Sequence, residues 1–261
     1  MWTAGVWAAL VLSGGIGLSL GLIGGGGSII TVPVLVYVAG IPVAEAIALS
    51  LAIVGTTALV GAVLQARSGN VHWKASALYG GMGIVGAAFG ARLTPLVPPP
   101  VLILLFAALL VFVGLRLLRG EPEAALPKRA ECTPWKCALA GLVIGVVTGF
   151  LGVGGGFLIV PALLRFAKMP MHQAIGTSLV IITANSAAGF IAHFSEIRNT
   201  GLLALSFTVA AALGMIAGLG LGRRMPQGGL KTAFGGLSLA VAAYLAVMNM
   251  GPFLTLMARR G

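Results

Sequence analysis

Outside residues 119–136, no part of this chain is hydrophilic over a length that could cover a water-facing surface. Instead, ten apolar segments follow one another, at about 3–23, 28–40, 44–66, 74–96, 100–118, 135–151, 157–167, 172–194, 201–222 and 229–250. Only 8% of the 261 residues are charged, against 59% hydrophobic, and Asp is absent. An ordinary soluble domain carries about 25% charged residues, so a soluble enzyme is excluded. A mean hydropathy of +1.08 identifies lipid as the solvent. In lipid the backbone must satisfy its own hydrogen bonds, which a helix does within a single segment. About 20 apolar residues span the bilayer, and the sequence therefore predicts an all-α polytopic membrane protein. Segments 28–40 and 157–167 are short. At ~1.5 Å per residue they cover half to two-thirds of a ~30 Å hydrocarbon core, and both full crossing and re-entry stay open. The first segment has no positively charged leader and reads as a retained helix.

The basic excess does not indicate nucleic acid. The net charge of +11 lies between apolar segments, where Lys and Arg orient a chain in the membrane, and no basic run is interleaved with aromatics. If all ten segments cross, 12 of the 16 Lys and Arg fall on one side and 4 on the other. If the two short segments re-enter, the split is 10 to 6. The positive-inside rule favours ten crossings with both termini outside. The polar stretch then forms a cytoplasmic basic loop, 119–134, between an N-terminal transmembrane repeat, 1–118, and a C-terminal one, 135–261. Five segments per half is an odd number, so the repeats have inverted topology. Cys132 and Cys137 fall in and beside that loop and are read as unpaired cytoplasmic thiols.

The repeat is visible directly. An offset of 128 aligns residues 21–61 with 149–189 without a gap, with 15 identities in 41 positions, among them Pro33/Pro161, Pro42/Pro170, Ser50/Ser178 and Gly61/Gly189. Later parts align less well, as though a shift of three or four residues follows the third segment.

The sharpest motif is Gly24-Gly25-Gly26-Gly27-Ser28 with Pro33 after it, matched by Gly152-Val153-Gly154-Gly155-Gly156 with Pro161. Gly costs about 1 kcal/mol relative to Ala in a helix interior, so five small residues break the helix. Two readings follow. The break lines a cavity, where the restarting helix offers free N–H groups and the positive end of its dipole to an anion; or it is a tight surface turn. The short helices that follow are expected to be broken ones.

These twin glycine elements, the tandem repeat and the basic central loop resemble the sulfite exporter TauE/SafE family of membrane permeases, over about residues 8–250. The resemblance implies transport of small sulfur-containing anions, such as sulfite, sulfonates or sulfoacetate, across the inner membrane. Carried over residue by residue, the family's glycine motifs fall on Gly24, Gly26, Gly27 and Ser28 and on Gly152, Gly154, Gly155 and Gly156, with Ser50 and Thr177-Ser178 on the helices that follow.

Polar residues inside apolar segments add candidates. By the repeat, Ser50 pairs with Ser178, Thr57 with Asn185 and Gln65 with His193. Intramembrane polar groups either bond between helices or face a wet cavity. Arg92, near the end of the fourth segment, carries a guanidinium whose fork suits a sulfonate; it can equally snorkel to the interface. Its rough counterpart is Arg223 or Arg224. The three histidines lack metal-ligand spacing, and no cofactor is implied. Gly-x3-Gly runs such as Gly141/Gly145/Gly149 and Gly214/Gly218/Gly222 predict close helix contact, within a monomer or homodimer.

The sequence therefore points to a transporter of small anions working by alternating access. An embedded enzyme is the rival; His193 and Ser195 stand two apart, but without Asp the chain offers no aspartate to orient the histidine. A carrier or channel for a different small anion or metabolite is a third reading. A membrane assembly protein is a fourth, and it would need a larger partner-binding loop than residues 119–136 supply.

Overall fold

A computed structural model describes residues 4–93, 96–119, 134–151, 156–192 and 201–258. Every regular element among them is helical. The helices are α1 (Ala4–Ile23), α2 (Gly27–Pro33), α3 (Val43–Arg67), α4 (Trp73–Leu93), α5 (Pro99–Arg119), α6 (Pro134–Leu151), α7 (Gly156–Phe166), α8 (Met171–Ala192), α9 (Gly201–Arg224) and α10 (Gln227–Ala258). Five are long and apolar enough to cross a membrane by length and composition, with spans at Glu45–Arg67, Val101–Arg119, Met171–Ile191, Ala204–Arg224 and Gly228–Met248. The short helices α2 and α7 follow the glycine clusters, as the sequence predicts. Past Pro33, α2 widens into a π-helical turn, Val34–Val38.

The two short helices stop in the same way. Ile41 N–H donates to Leu35 O (3.0 Å), and Met169 N–H donates to Leu163 O (3.3 Å). Each bond encloses a residue in the left-handed region, Gly40 (φ +71°) and Lys168 (φ +48°). A bond that reaches back six residues around a left-handed residue is a wider relative of the Schellman stop, and like it satisfies helix carbonyls that would otherwise be orphaned. Pro42 and Pro170 then start the next helices, their carbonyls accepting from Ala46 N–H (2.8 Å) and Ala174 N–H (2.9 Å). All these pairs are 128 residues apart, so the repeat extends to the caps.

Glycine stripes set the main helix pairs. In α1 and α9, Gly17 lies against the backbone of Ala211 and Gly21 against that of Met215. In α4 and α6, Gly145 lies against Gly83 and Gly149 against Ala87. Residue numbers rise together across both contacts, so each pair is parallel. Removing the Cβ lets the backbones approach this closely, which is how lipid-embedded helices gain packing contacts. Helices matched by the repeat meet in the opposite sense: Leu51 meets Gly189 while Leu179 meets Gly61, and Gly114 of α5 meets Leu239 of α10 while Leu118 meets Gly235. Both α3/α8 and α5/α10 are therefore antiparallel. The Phe106 and Phe157 rings pack edge to face at 5.2 Å in the main core.

Two expectations are corrected. The α1/α9 and α4/α6 contacts match at an offset of 128, Gly17–Ala211 against Gly145–Gly83. No shift separates α4 from α9; the sequences diverge there while the glycine register holds, through Gly86/Gly214 and Gly90/Gly218. Cys137 is not a free thiol: it is fully buried on the first turn of α6 and disulfide-bonded, while Cys132 lies outside the described residues. Unreduced, denatured protein should take up no maleimide, and reduction should expose two thiols per chain by mass spectrometry.

Gly145→Leu should lower the thermal midpoint of the detergent-purified protein, because overpacking a tight contact costs roughly 1–3 kcal/mol. Gly220→Leu, with nothing within 4 Å of the position its Cβ would take, should leave the midpoint near wild type.

Candidate functional site

The helical hydrogen-bonding of α1 runs out at Gly24, whose N–H still donates to Leu20 O (2.7 Å). Gly24 then takes φ +75°, a conformation glycine adopts without strain. Its carbonyl accepts from Ser178 Oγ at 2.7 Å, and the same hydroxyl lies 2.8 Å from Ile175 O, so one proton serves two acceptors. A Cβ at Gly24 would fall on Ser178 Oγ and on Ile175. Gly25 packs against Gly156 and Phe157 at the start of α7, and Ser28 Oγ, which donates to Gly25 O at 2.8 Å, faces Gly156. Residues 28 and 156 are partners in the repeat, so the first turns of α2 and α7 meet inside the bundle, and Ser178 is the eighth of 22 residues in α8. The turn at Gly24–Ser28 is buried up to Gly27 and is not a surface loop.

The remaining glycines of the first motif serve packing. Gly26 caps α2 without a side-chain hydrogen bond and faces Leu237 of α10, and Gly27 presses on Ile16 and Leu20 of α1. Gly152, Gly154 and Gly155 lie outside the described residues. Ser50, the repeat partner of Ser178, is buried and donates to its own helix at Ile47 O (2.8 Å). Thr177 accepts from the His72 backbone N–H (3.0 Å), and Gln65 Oε1 accepts from Asn70 Nδ2 (3.2 Å); these two polar groups tie the α3–α4 connection together and to α8. Thr57 Oγ1 and Asn185 Oδ1, again repeat partners, are buried without a hydrogen-bond partner. Arg92 is exposed on the last turn of α4 and takes no part in the contacts of the glycine break. The packing register places Gly220 opposite it in the repeat, which corrects the expected match to Arg223 or Arg224; Arg223 donates to Ser68 Oγ (2.7 Å) at the end of α3.

One residue escaped the sequence reading. Tyr79 on α4 is 2% exposed and its hydroxyl has no partner. With Asn185, Thr148, Gly83, Gly141, Ile144, Gly145, Ile159 and Ile181 it lines a cavity of about 10 Å³ between α4, α6, α7 and α8. That is room for one water at most. A lone tyrosine among glycines reads as packing; only the neighbours brought by α6 and α8 reveal that its hydroxyl is stranded.

A helical bundle with two broken helices meeting in its interior is the architecture of an integral membrane transporter. Comparison with known proteins agrees. Residues 9–245 match the model of the family described as Sulfite exporter TauE/SafE, and the chain belongs to that family. It is 34% identical over 243 residues to a probable membrane transporter protein of Xylella fastidiosa strain Temecula1, covering 89% of this chain and 92% of that one. It is 29% identical over 222 residues to the probable membrane transporter protein YdhB of Bacillus subtilis, covering 84% and 91%. No solved structure gives a significant match.

The geometry sets what substitutions should do. Gly27→Leu would drive a side chain into Ile16 and Leu20 of α1, so loss of monodisperse protein on size-exclusion chromatography is expected. Ser178→Ala should fold, with a loss of about 1 kcal/mol for one hydrogen bond, read as a small drop in thermal midpoint.

Proposed function

We propose that this protein carries small sulfur-containing anions, such as sulfite, sulfonates or sulfoacetate, across the bacterial inner membrane by alternating access. The observation that carries this reading is the meeting of the first turns of α2 and α7 at Ser28 and Gly156. Two restarting helices there bring N-terminal dipoles toward one region of the bundle, and such ends favour negative charge. The surrounding side chains of Gly24–Ser28 and Ser178 are uncharged, so backbone amides and hydroxyls supply the recognition. Ser50 and the second glycine cluster, Gly152–Gly156, complete the proposed site by the repeat, with Thr57 and Asn185 further along α3 and α8.

Antiparallel contact between repeat-matched helices supports an inverted arrangement of the halves. In it α1 and α9 run the same way, as do α4 and α6, while α3 opposes α8 and α5 opposes α10. This alternation requires α2 and α7 each to return the chain to the other side, which favours ten segments over eight. One half rocking against the other would then alternate access. Export needs no coupled ion, because a monovalent anion leaving a negative-inside cell gains about 2.3 kcal/mol per 100 mV.

Purified protein in liposomes tests the reading. Sulfite and methanesulfonate should move down an imposed potential, and a neutral sulfone of similar shape should bind far more weakly, since charge-assisted hydrogen bonds are roughly twice as strong as neutral ones. Equal affinity for the neutral sulfone in a binding titration would refute anion recognition.

A further inference from the structure

The cavity between α4, α6, α7 and α8 has a repeat-related counterpart position between α9, α1, α2 and α3, and the two are built differently. Tyr79 corresponds to Phe207, Asn185 to Thr57, Thr148 to Leu20 and Gly83 to Ala211. At the counterpart position Phe207, Leu20 and Ala211 are each 0% exposed and Thr57 is 1% exposed. At the α4/α6/α7/α8 position glycine stands for alanine and threonine for leucine, and the lining encloses a hollow. The two positions differ at four residues, and at the hollow each difference removes bulk or adds a hydrogen-bonding group.

Its lining is also unfinished. Tyr79 Oη and Asn185 Oδ1 are both shielded and without partners, and an unsatisfied buried polar group costs about 1–3 kcal/mol. Two such groups on one cavity, with Thr148 Oγ1 beside them donating only to its own helix at Gly145 O (3.1 Å), call for an occupant that hydrogen-bonds. The cavity accepts a single oxygen-sized atom, and its lining carries neither carboxylate nor cation. Asn185 stands seven residues beyond Ser178 on α8, about 10 Å along the helix and on nearly the same face. The cavity and the glycine break thus lie along the same side of α8, about two helical turns apart.

We propose that this cavity is a specificity site for the transported anion, in which Tyr79 and Asn185 hydrogen-bond one substrate oxygen, and that the protein carries it on the α4/α6 side of the bundle and not at the repeat-related α9/α1 side. The site rests on the transport reading above. The Tyr79 hydroxyl donates to the oxygen, and a half-turn of the Asn185 amide presents its NH2 for a second bond. A neutral donor set holds the anion without the trap of a fixed cation. The rest of the anion requires α4 and α6 to part, because the cavity as it stands is no larger than a water. The same donors would also suit a resident water, and the experiment separates the two.

Initial rates of sulfite and methanesulfonate flux are measured in liposomes for wild type, Tyr79→Phe, Asn185→Leu and the mirror control Phe207→Leu, with thermal midpoints for each. Loss of one substrate hydrogen bond should raise KM about tenfold in Tyr79→Phe and Asn185→Leu while the midpoint of Tyr79→Phe stays near wild type. Phe207→Leu should lower the midpoint and leave KM unchanged. Flux in wild type with an unchanged KM in Tyr79→Phe means that the cavity holds only water, and overturns the site while leaving the transport reading intact. A wild-type protein that moves neither anion overturns both. An equal rise in KM for Phe207→Leu overturns the confinement to one side of the bundle.

Discussion

A polypeptide in hydrocarbon has no solvent with which to hydrogen-bond, so every backbone group must find a partner within the protein. That requirement makes this chain helical over most of its described length and makes each interruption expensive. The interruptions that exist are correspondingly well supported. Gly24 leaves the helix with its carbonyl held by Ser178, and Ile41 and Met169 close the two short helices by reaching back six residues. Unsatisfied buried groups are few among the described side chains: Thr57, Tyr79 and Asn185. All three sit on the inner helices α3, α4 and α8, and Thr57 and Asn185 are equivalent by the repeat.

Glycine serves two distinct ends here. In α1, α4, α6 and α9 it brings backbones together, as at Gly17, Gly83, Gly145 and Gly214. At Gly24 and Gly40 it permits a left-handed turn. The cluster Gly24–Gly27 contains both kinds, which no inspection of four consecutive identical letters can separate. The neighbours decide: Gly24 meets Ser178 from across the repeat interface, and Gly27 meets α1 of its own half.

Much of the fold was legible from residues alone. Ten apolar segments became ten helices, and the short ones fell where the glycine runs and Pro33 or Pro161 predicted. The 128-residue repeat was legible only where identical residues marked it; across α4 and α9 few identities survive, yet packing keeps the same register, because a glycine stripe tolerates any neighbour on its lipid face. The polar constellation was half visible. Ser178 and Asn185 stood out as hydrophilic residues within apolar runs. Thr177 and Gln65 stood out equally, but they tie together the α3–α4 connection. Tyr79 carried no such signal, since a tyrosine is ambiguous between ring and hydroxyl until its surroundings are known.

The unlike residues of the two halves have an energetic consequence. In a perfectly repeated inverted protein, exchanging the conformations of the halves turns the inward-open state into the outward-open one, and the two would be equally populated. Whatever distinguishes Tyr79, Thr148 and Asn185 from Phe207, Leu20 and Thr57 lifts that degeneracy. A difference of about 1.4 kcal/mol already sets a tenfold preference between two such states. Under the alternating access proposed above, the resting orientation of this protein, and with it the side from which it is first loaded, would be set at the places where its two halves differ.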